Sequence, residues 1–211
     1  MERKIVAING TIGSGKDTFA KVFINEGYHR VSFAESLKDA VSVIFGWDRE
    51  MLEGNTDESR AIREQEDEFW SHKMGRPVTP RWVLQNLGTD VLRKHFHDNI
   101  WLFSLEKRIL NSDSDKIIIT DCRFPNEIQL VRDKSGIIIE VQRVLPSWYY
   151  DAYQYNLHRD SCDLILPKSL TDIHSSEYGW VGINKPDFIV DNNGTLEQLH
   201  QQAYNIIDSI Q

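Results

Sequence analysis

The sequence predicts a three-layer α/β sandwich built on a five-stranded parallel sheet. Three observations carry that expectation. Apolar, strand-like runs alternate with amphipathic helical stretches along the 211 residues. A glycine-rich turn, "GTIGSGK", joins the first apolar run directly to a helical pattern. A second apolar run, "IIITD", ends on an acid. Strands that alternate with helices pair in parallel through right-handed crossovers, and ligands of such sheets sit at the carboxyl ends of the strands.

Residues 4 to 8 read as a buried strand and residues 15 to 26 as a helix with Phe19, Val22 and Phe23 on one face, stopped by Gly27. Val31 to Ala34 gives a short second strand. The helix after it carries Leu37, Ala40, Val41, Ile44 and Phe45 at helical spacing and ends at Gly46. Thr79 and Pro80 supply an N-cap and a first-turn proline for a helix bearing Val83, Leu84, Leu87, Val91 and Leu92. Asn99 to Leu110 is a further helix, and Ile117 to Ile119 a third strand. Pro125 opens a short helix that Gly136 ends, and Ile137 to Val144 forms the fourth strand. Residues 145 to 185 show no clear period and read as a lid across the top of the sheet. Asp187 to Asp191 is the last strand, and Thr195 with Gln198 forms a capping box for a C-terminal helix.

The length suits one sizeable core, so a single domain is expected, with a helical region from about 35 to 110 and the lid from about 145 to 185. The net charge of −8 argues against general affinity for nucleic-acid backbone or anionic lipid, which requires a basic face. Nine acids against three arginines between positions 48 and 68 carry six of the eight net charges, the signature of a solvated helical insert. No apolar run approaches the roughly 20 residues that span a bilayer. Two cysteines, Cys122 and Cys162, show no metal spacing and no leader precedes them, so the expected compartment is a reducing cytoplasm, the host's if the source is viral.

The turn at residues 10–16 satisfies G-x-x-x-x-G-K, in which glycines let successive backbone N–H groups face phosphate oxygens and the lysine adds a mobile positive charge. Gly10, Gly13, Ser14, Gly15 and Lys16 are therefore candidate ATP ligands. Asp17 stands where Ser or Thr is usual and Thr18 follows, the G-x-x-G-x-G-K-x-T form of many small-molecule kinases, so Thr18 is the candidate hydroxyl near magnesium. Asp17 is either a functional carboxylate or an ordinary first-turn acid. The plain alternative for the whole motif is a glycine turn with a solvated lysine.

"IIITDCRFPNE" places Asp121 at a strand end, where a carboxylate holds magnesium through water. Cys122 occupies the position where motor-type hydrolases carry a glutamate to orient water, which favours transfer to an acceptor over hydrolysis. Arg123 offers a planar fork for a phosphate, with a surface salt bridge as its plain alternative.

The segments "GTIGSGKDT", "FAESLKDA", "TPRWVLQNLGTDVLRKHFHDNIW", "ITDCRFPNE", "IHSSEYG" and "IVDNNGTLEQL" occur in order over nearly the whole chain. Together they resemble the bacteriophage-type deoxynucleoside monophosphate kinases. That resemblance implies the P-loop kinase fold, ATP and magnesium, and transfer of the γ-phosphoryl group to a deoxynucleoside monophosphate. It assigns Lys16, Asp121, Arg123 and Arg143 to catalysis, Thr18 and Asp121 to the metal, and Asn192 and Gly194 to the loop that passes the adenine. For the acceptor it implies Lys38, Arg81, Gln85, Gly88, Thr89, Asp90, Arg93, Trp101 and Glu177.

Several candidates also have structural alternatives. Lys38 can be a solvated helix lysine, Gly88 can serve helix packing and Trp101 can be core. Arg159 is a lid-position candidate for the transferring charge, although a solvated arginine is the favoured reading. His174, Ser176 and Glu177 either contact substrate or close the lid, or form a helix cap with an acidic first turn, and Thr195 has an adequate role as an N-cap. The partners implied are small nucleotides, with homodimerisation left open. The rivals are a kinase for another small acceptor, such as phosphomevalonate or dephospho-coenzyme A, and a nucleotide-dependent switch or ATPase. The acidic stretch 48 to 73 and "SWYYDAYQY" match none of the quoted motifs and leave base preference open.

Overall fold

A computed structural model describes residues 3–159 and 164–210; Cys162 lies outside the described residues. The chain forms two compact units, Met1–Ser32 with Arg108–Gln211, and Phe33–Lys107.

In the first unit, strand β1 (Lys4–Asn9) leads through the glycine turn into helix α1 (Lys16–Asn25), and β2 (His29–Val31) follows. The second unit holds α2 (Glu35–Phe45), α3 (Asp57–Glu64), α4 (Glu68–Met74), α5 (Pro80–Gln85) and a π-helical segment, Asn86–Phe96. Helix α6 (Ile100–Leu110) carries the chain back to β3 (Lys116–Ile119), α7 (Pro125–Asp133) and β4 (Ile137–Gln142). Then come α8 (Tyr149–Leu157), a 3-10 turn (Lys168–Leu170), α9 (Ser175–Tyr178), β5 (Phe188–Asp191) and α10 (Leu196–Ser209).

The sheet is parallel throughout, in the order β2-β3-β1-β4-β5. Alternation along the strands covers both faces: Val6, Ile8, Ile118, Ile139 and Val141 join Phe19 and Phe23 of α1 and Leu199, Ile206 and Ile207 of α10 in one core. Ile5, Ile117 and Ile138 are equally buried on the alternate positions, and α7 packs against β1 and β4. Strands apolar on both faces leave their C-terminal ends as the place where polar chemistry gathers. Both caps expected for α10 form: Thr195 Oγ1 accepts from Gln198 N and the Gln198 side chain accepts from Thr195 N at 2.8 Å.

The second unit departs from expectation at the helix after Pro80. It begins as α-helix, capped by Thr79 accepting from Trp82 N at 3.1 Å, but continues in π geometry, shown by His97 N donating to Leu92 O at 3.0 Å. Arg81 and Gln85 therefore stand on α-helix, and Thr89, Asp90 and Arg93 on the π-helical turns that follow. Within this segment the Gly88 carbonyl accepts from Trp101 Nε1 at 2.8 Å, and a side chain donating into the helical ladder is one of the features that accompany such distortion. Within the stretch 145–185, Tyr149–Leu157 forms helix α8, which the sequence pattern does not lead one to expect. The fourth strand stops at Gln142, so Arg143 stands exposed in the bend beyond it.

The acidic insert folds as α3 and α4, capped by Thr56 and Asp67. Asp67 also accepts from Trp47 Nε1 at 2.7 Å, and Trp70 Nε1 donates to Phe45 O at 3.0 Å, so the insert is fastened to the end of α2 through aromatic side chains.

Candidate active site

In the first unit the glycine turn has the conformation a phosphate cradle needs. Gly10, Gly13 and Gly15 have φ of 144°, 77° and 95°, values that side-chain-bearing residues rarely adopt. A Cβ on Gly10 would stand 2.3 Å from Val141 O, and one on Gly15 would stand 2.2 Å from Asn192 Nδ2. Both glycines are thus demanded by close approach as well as by φ. Ser14 is fully buried and its hydroxyl finds no protein partner, a polar atom awaiting a ligand or water. Asn192 Nδ2 donates to Ser14 O at 2.8 Å, which joins the loop after β5 to the cradle.

Lys16 Nζ donates to Gly10 O at 2.8 Å and Thr11 O at 2.7 Å. Burial and the nearby Arg123 guanidinium lower its pKa from 10.5 to about 8, against the opposing pull of Asp17, Glu177 and Asp121. These five charged groups therefore share one electrostatic neighbourhood. Arg123 Nη1 donates to Glu177 Oε1 at 2.6 Å. Burial works against the Arg123 charge, but Glu177, Asp121 and Glu127 overcome it and hold its pKa above the ordinary value. The loop carrying Arg123 is fixed by Glu127, a buried carboxylate that accepts from Arg123 N at 2.6 Å and Phe124 N at 3.1 Å. Motif reading passed over Glu127, although an acid three residues after the residue before Pro125 is a capping signal.

Cys122 is buried and its thiol pKa is pushed up by that burial, as suits a packing residue. His174 Nδ1 accepts from Ser176 N at 3.3 Å, so those two residues cap α9. Thr18 is half-buried and Asp17 and Arg159 are exposed. Gly194 lies against the capping Gln198 side chain.

The candidate acceptor residues lie in the second unit. Lys38 Nζ pairs with Glu53 Oε2 at 2.8 Å, the two side chains being only 11% and 14% exposed, and Arg49 also bonds Glu53. Arg81 Nη1 meets Glu64 Oε1 at 3.1 Å. Two of the three candidate acceptor cations, Lys38 and Arg81, thus face carboxylates of the acidic insert. Gln85, Thr89 and Asp90 are half-buried, and Asp90 lies 3.6 Å from Lys94 Nζ. Arg93 is buried and donates to Asp98 O at 3.1 Å. Trp101 is buried with its N–H committed to Gly88, which places it in the core. A Cβ on Gly88 would stand 2.6 Å from Leu37 Cδ2, the end of a side chain that can turn aside. Trp82, beside Arg81, carries the Arg76 guanidinium 4.1 Å from its ring centre, a stacked pair that motif reading did not find.

Burial alone would raise the pKa of Glu53, but Lys38 and Arg49 hold it at about 2, below the usual 4.5. A carboxylate with a depressed folded pKa contributes stability that is complete above the unfolded value and is lost as pH falls towards the folded one. Glu53→Gln is expected to cost about 1–3 kcal/mol at pH 7, the range for leaving a buried hydrogen-bonding partner unsatisfied, with the difference from wild type shrinking between pH 4.5 and pH 2. Urea unfolding at pH 7 and pH 3.5 checks this.

A family model described as deoxynucleotide monophosphate kinase matches residues 49–151. A deoxynucleoside-5'-monophosphate kinase of Escherichia phage T5 is 31% identical over 183 residues, covering 63% of this chain and 73% of that protein. The chain belongs to the deoxynucleotide monophosphate kinase family. An Acanthamoeba polyphaga mimivirus protein, provisionally described as a deoxynucleotide monophosphate kinase, is 28% identical over 217 residues, covering 97% of this chain and 96% of its own. The dephospho-CoA kinase of Campylobacter jejuni superposes over 98% of this kinase and 96% of its own chain, with TM-score 0.50 and 16% identity, a likeness of fold alone. The family match, residues 49–151, runs through the acidic stretch that no quoted motif covers, so that insert lies inside the family's shared span.

Among the described residues no helix is long and apolar enough to cross a membrane. Nor do three or more His, Cys, Asp or Glu side chains there form a ready metal cluster. The oxygen donors beside the cradle, Thr18 and Asp121, suit a hard cation that keeps most of its ligands from water and substrate phosphates.

Proposed function

We propose that this kinase transfers the γ-phosphoryl group of ATP to a deoxynucleoside 5′-monophosphate, giving the diphosphate and ADP. The observation that carries the reading is the cradle itself: three glycines at positive φ, an unpartnered buried Ser14 hydroxyl and a desolvated Lys16, within the electrostatic reach of Arg123 and Asp121.

The amides of residues 13–18 would hold the β- and γ-phosphates, with Lys16 leaving the Gly10 and Thr11 carbonyls to meet them. Thr18 and Asp121 would hold magnesium, which when bound neutralises phosphate charge. Arg123, oriented by Glu177 and by the Glu127-capped loop, stabilises the charge that spreads over the equatorial oxygens as the phosphoryl group moves. Arg143, exposed beyond β4, is a second cation for the same charge, while Asn192 and Gly194 border the adenine. No general base is required, because the attacking acceptor oxygen is already anionic. On the second unit, Arg81, Gln85, Thr89 and Asp90 form the acceptor set, with Lys38 joining them when a phosphate displaces Glu53.

The test is ADP formation from ATP and magnesium against a panel of deoxy- and ribonucleoside monophosphates, with a control lacking acceptor. The expected result is strong stimulation by at least one deoxynucleotide. Turnover indifferent to every acceptor would overturn the reading.

A further inference from the structure

β4 reads "IIIEVQ", and its one charged residue, Glu140, is only 3% exposed. Its register partner is Asn9, the residue directly before Gly10 of the cradle. Glu140 Oε1 accepts from Tyr149 OH at 2.6 Å and from Gln142 Nε2 at 2.8 Å, and Oε2 accepts from Asn184 Nδ2 at 2.9 Å. Asn184 Nδ2 also lies 3.2 Å from Asn9 Oδ1. Three neutral donors on one buried carboxylate make a costly arrangement, stable only while every lone pair facing the protein is satisfied.

Its partners mark the two ends of the excursion from β4. Tyr149 opens α8, and Asn184 closes the stretch that follows α9. Between them, Asn156 of α8 donates to Tyr178 O at 2.7 Å and Val181 O at 2.9 Å, bracing α8 against α9. Trp180, fully buried, packs edge-on to Tyr149. The braced piece carries Glu177, and Glu177 holds Arg123. A continuous hydrogen-bonded path therefore runs from Glu140 through the excursion to the Arg123 guanidinium beside Lys16.

We propose that Glu140 is a positioning residue: by holding Tyr149 and Asn184 it anchors α8 and the segment that follows α9, so that Glu177 presents Arg123 to the phosphoryl group. Glu140 touches no substrate; it acts through Glu177. The catalytic consequence rests on the kinase reading above, whereas the anchoring itself does not.

The test uses Glu140→Gln, which puts a donor where Asn184 or Tyr149 now donates, and the milder Tyr149→Phe. Amide hydrogen exchange in the nucleotide-free protein reports the anchor without turnover. Exchange at residues 175–181 is expected to quicken at least about tenfold in Glu140→Gln and by less in Tyr149→Phe, with the amides of β1 and β3 unchanged. Unchanged exchange at 175–181, or equal quickening through the whole sheet, would overturn the proposal.

In the acceptor-stimulated assay Glu140→Gln is expected to lower kcat about tenfold with the ATP dissociation constant within twofold, and to add nothing in a Glu177→Gln background. Multiplying effects in the double variant would overturn the path through Glu177. A wild-type protein without acceptor-dependent turnover would instead count against the kinase reading, while the exchange result still decides the anchor.

Discussion

Lys16→Ala is expected to abolish measurable phosphoryl transfer, lowering kcat/KM by at least about 10²-fold to 10³-fold, while the protein keeps its fold. Activity goes because the lysine is the cation placed among the cradle amides. Stability survives because the folded pKa of Lys16, about 8, lies below its ordinary 10.5. Between those values the unfolded chain binds more protons, so this group's stability contribution rises with pH through that window, and below about pH 8 burying the charge costs stability. Alanine removes that cost along with two hydrogen bonds to carbonyls, and the melting temperature should move by no more than a few degrees. The same pKa predicts that wild-type affinity for ATP falls as pH rises from 7 to 9, as the ammonium loses its proton. Lys16→Arg, charged throughout, should flatten that profile. Titration calorimetry with ATP at the two pH values, beside a melting curve for each variant, checks all three expectations.

The second large effect is expected at Arg123. Arg123→Lys keeps a cation beside Glu177 but loses the planar fork that can hold Glu177 and a phosphoryl oxygen together. Turnover should fall about 10²-fold or more with ATP affinity within a few-fold, because the interaction matters most when charge spreads over the transferring group. Stopped-flow single turnover separates the chemical step from binding. Turnover within threefold of wild type would reduce Arg123 to the surface-type salt bridge that is its plain alternative.

How far the sequence disclosed this molecule depended on how local each signal was. The strand, turn and helix around Gly10 to Thr18 are specified by neighbouring residues, as are the Thr195–Gln198 box of α10 and the proline that opens α7. All were legible. The π-helical segment was not: nothing local marks it, and the indole that bonds the Gly88 carbonyl comes from Trp101, thirteen residues further on. Helix α8 was hidden because the residues that "YYDAYQYNL" buries are Ala152 and Asn156, one small and one polar, which make no apolar stripe to recognise.

The candidate site divides in the same way. The cradle and the Asp121–Arg123 strand end could be found from spacing. The pairing of Lys38 with Glu53 and of Arg81 with Glu64 could not, because the acidic residues sit in a stretch whose charge pattern suggests only a solvated face. Glu140 had a signal, a lone acid inside a buried strand, but its meaning depended on Tyr149 and Asn184, which only the folded chain brings to it.

The most direct test of the central claim follows the phosphorus. With ATP labelled in its γ-phosphate, magnesium and the deoxynucleotide that stimulates ADP release most, the label is predicted to appear in the deoxynucleoside diphosphate in one-to-one proportion with ADP. Label released as orthophosphate, with no labelled diphosphate, would show that water rather than a nucleotide is the acceptor and would contradict the account.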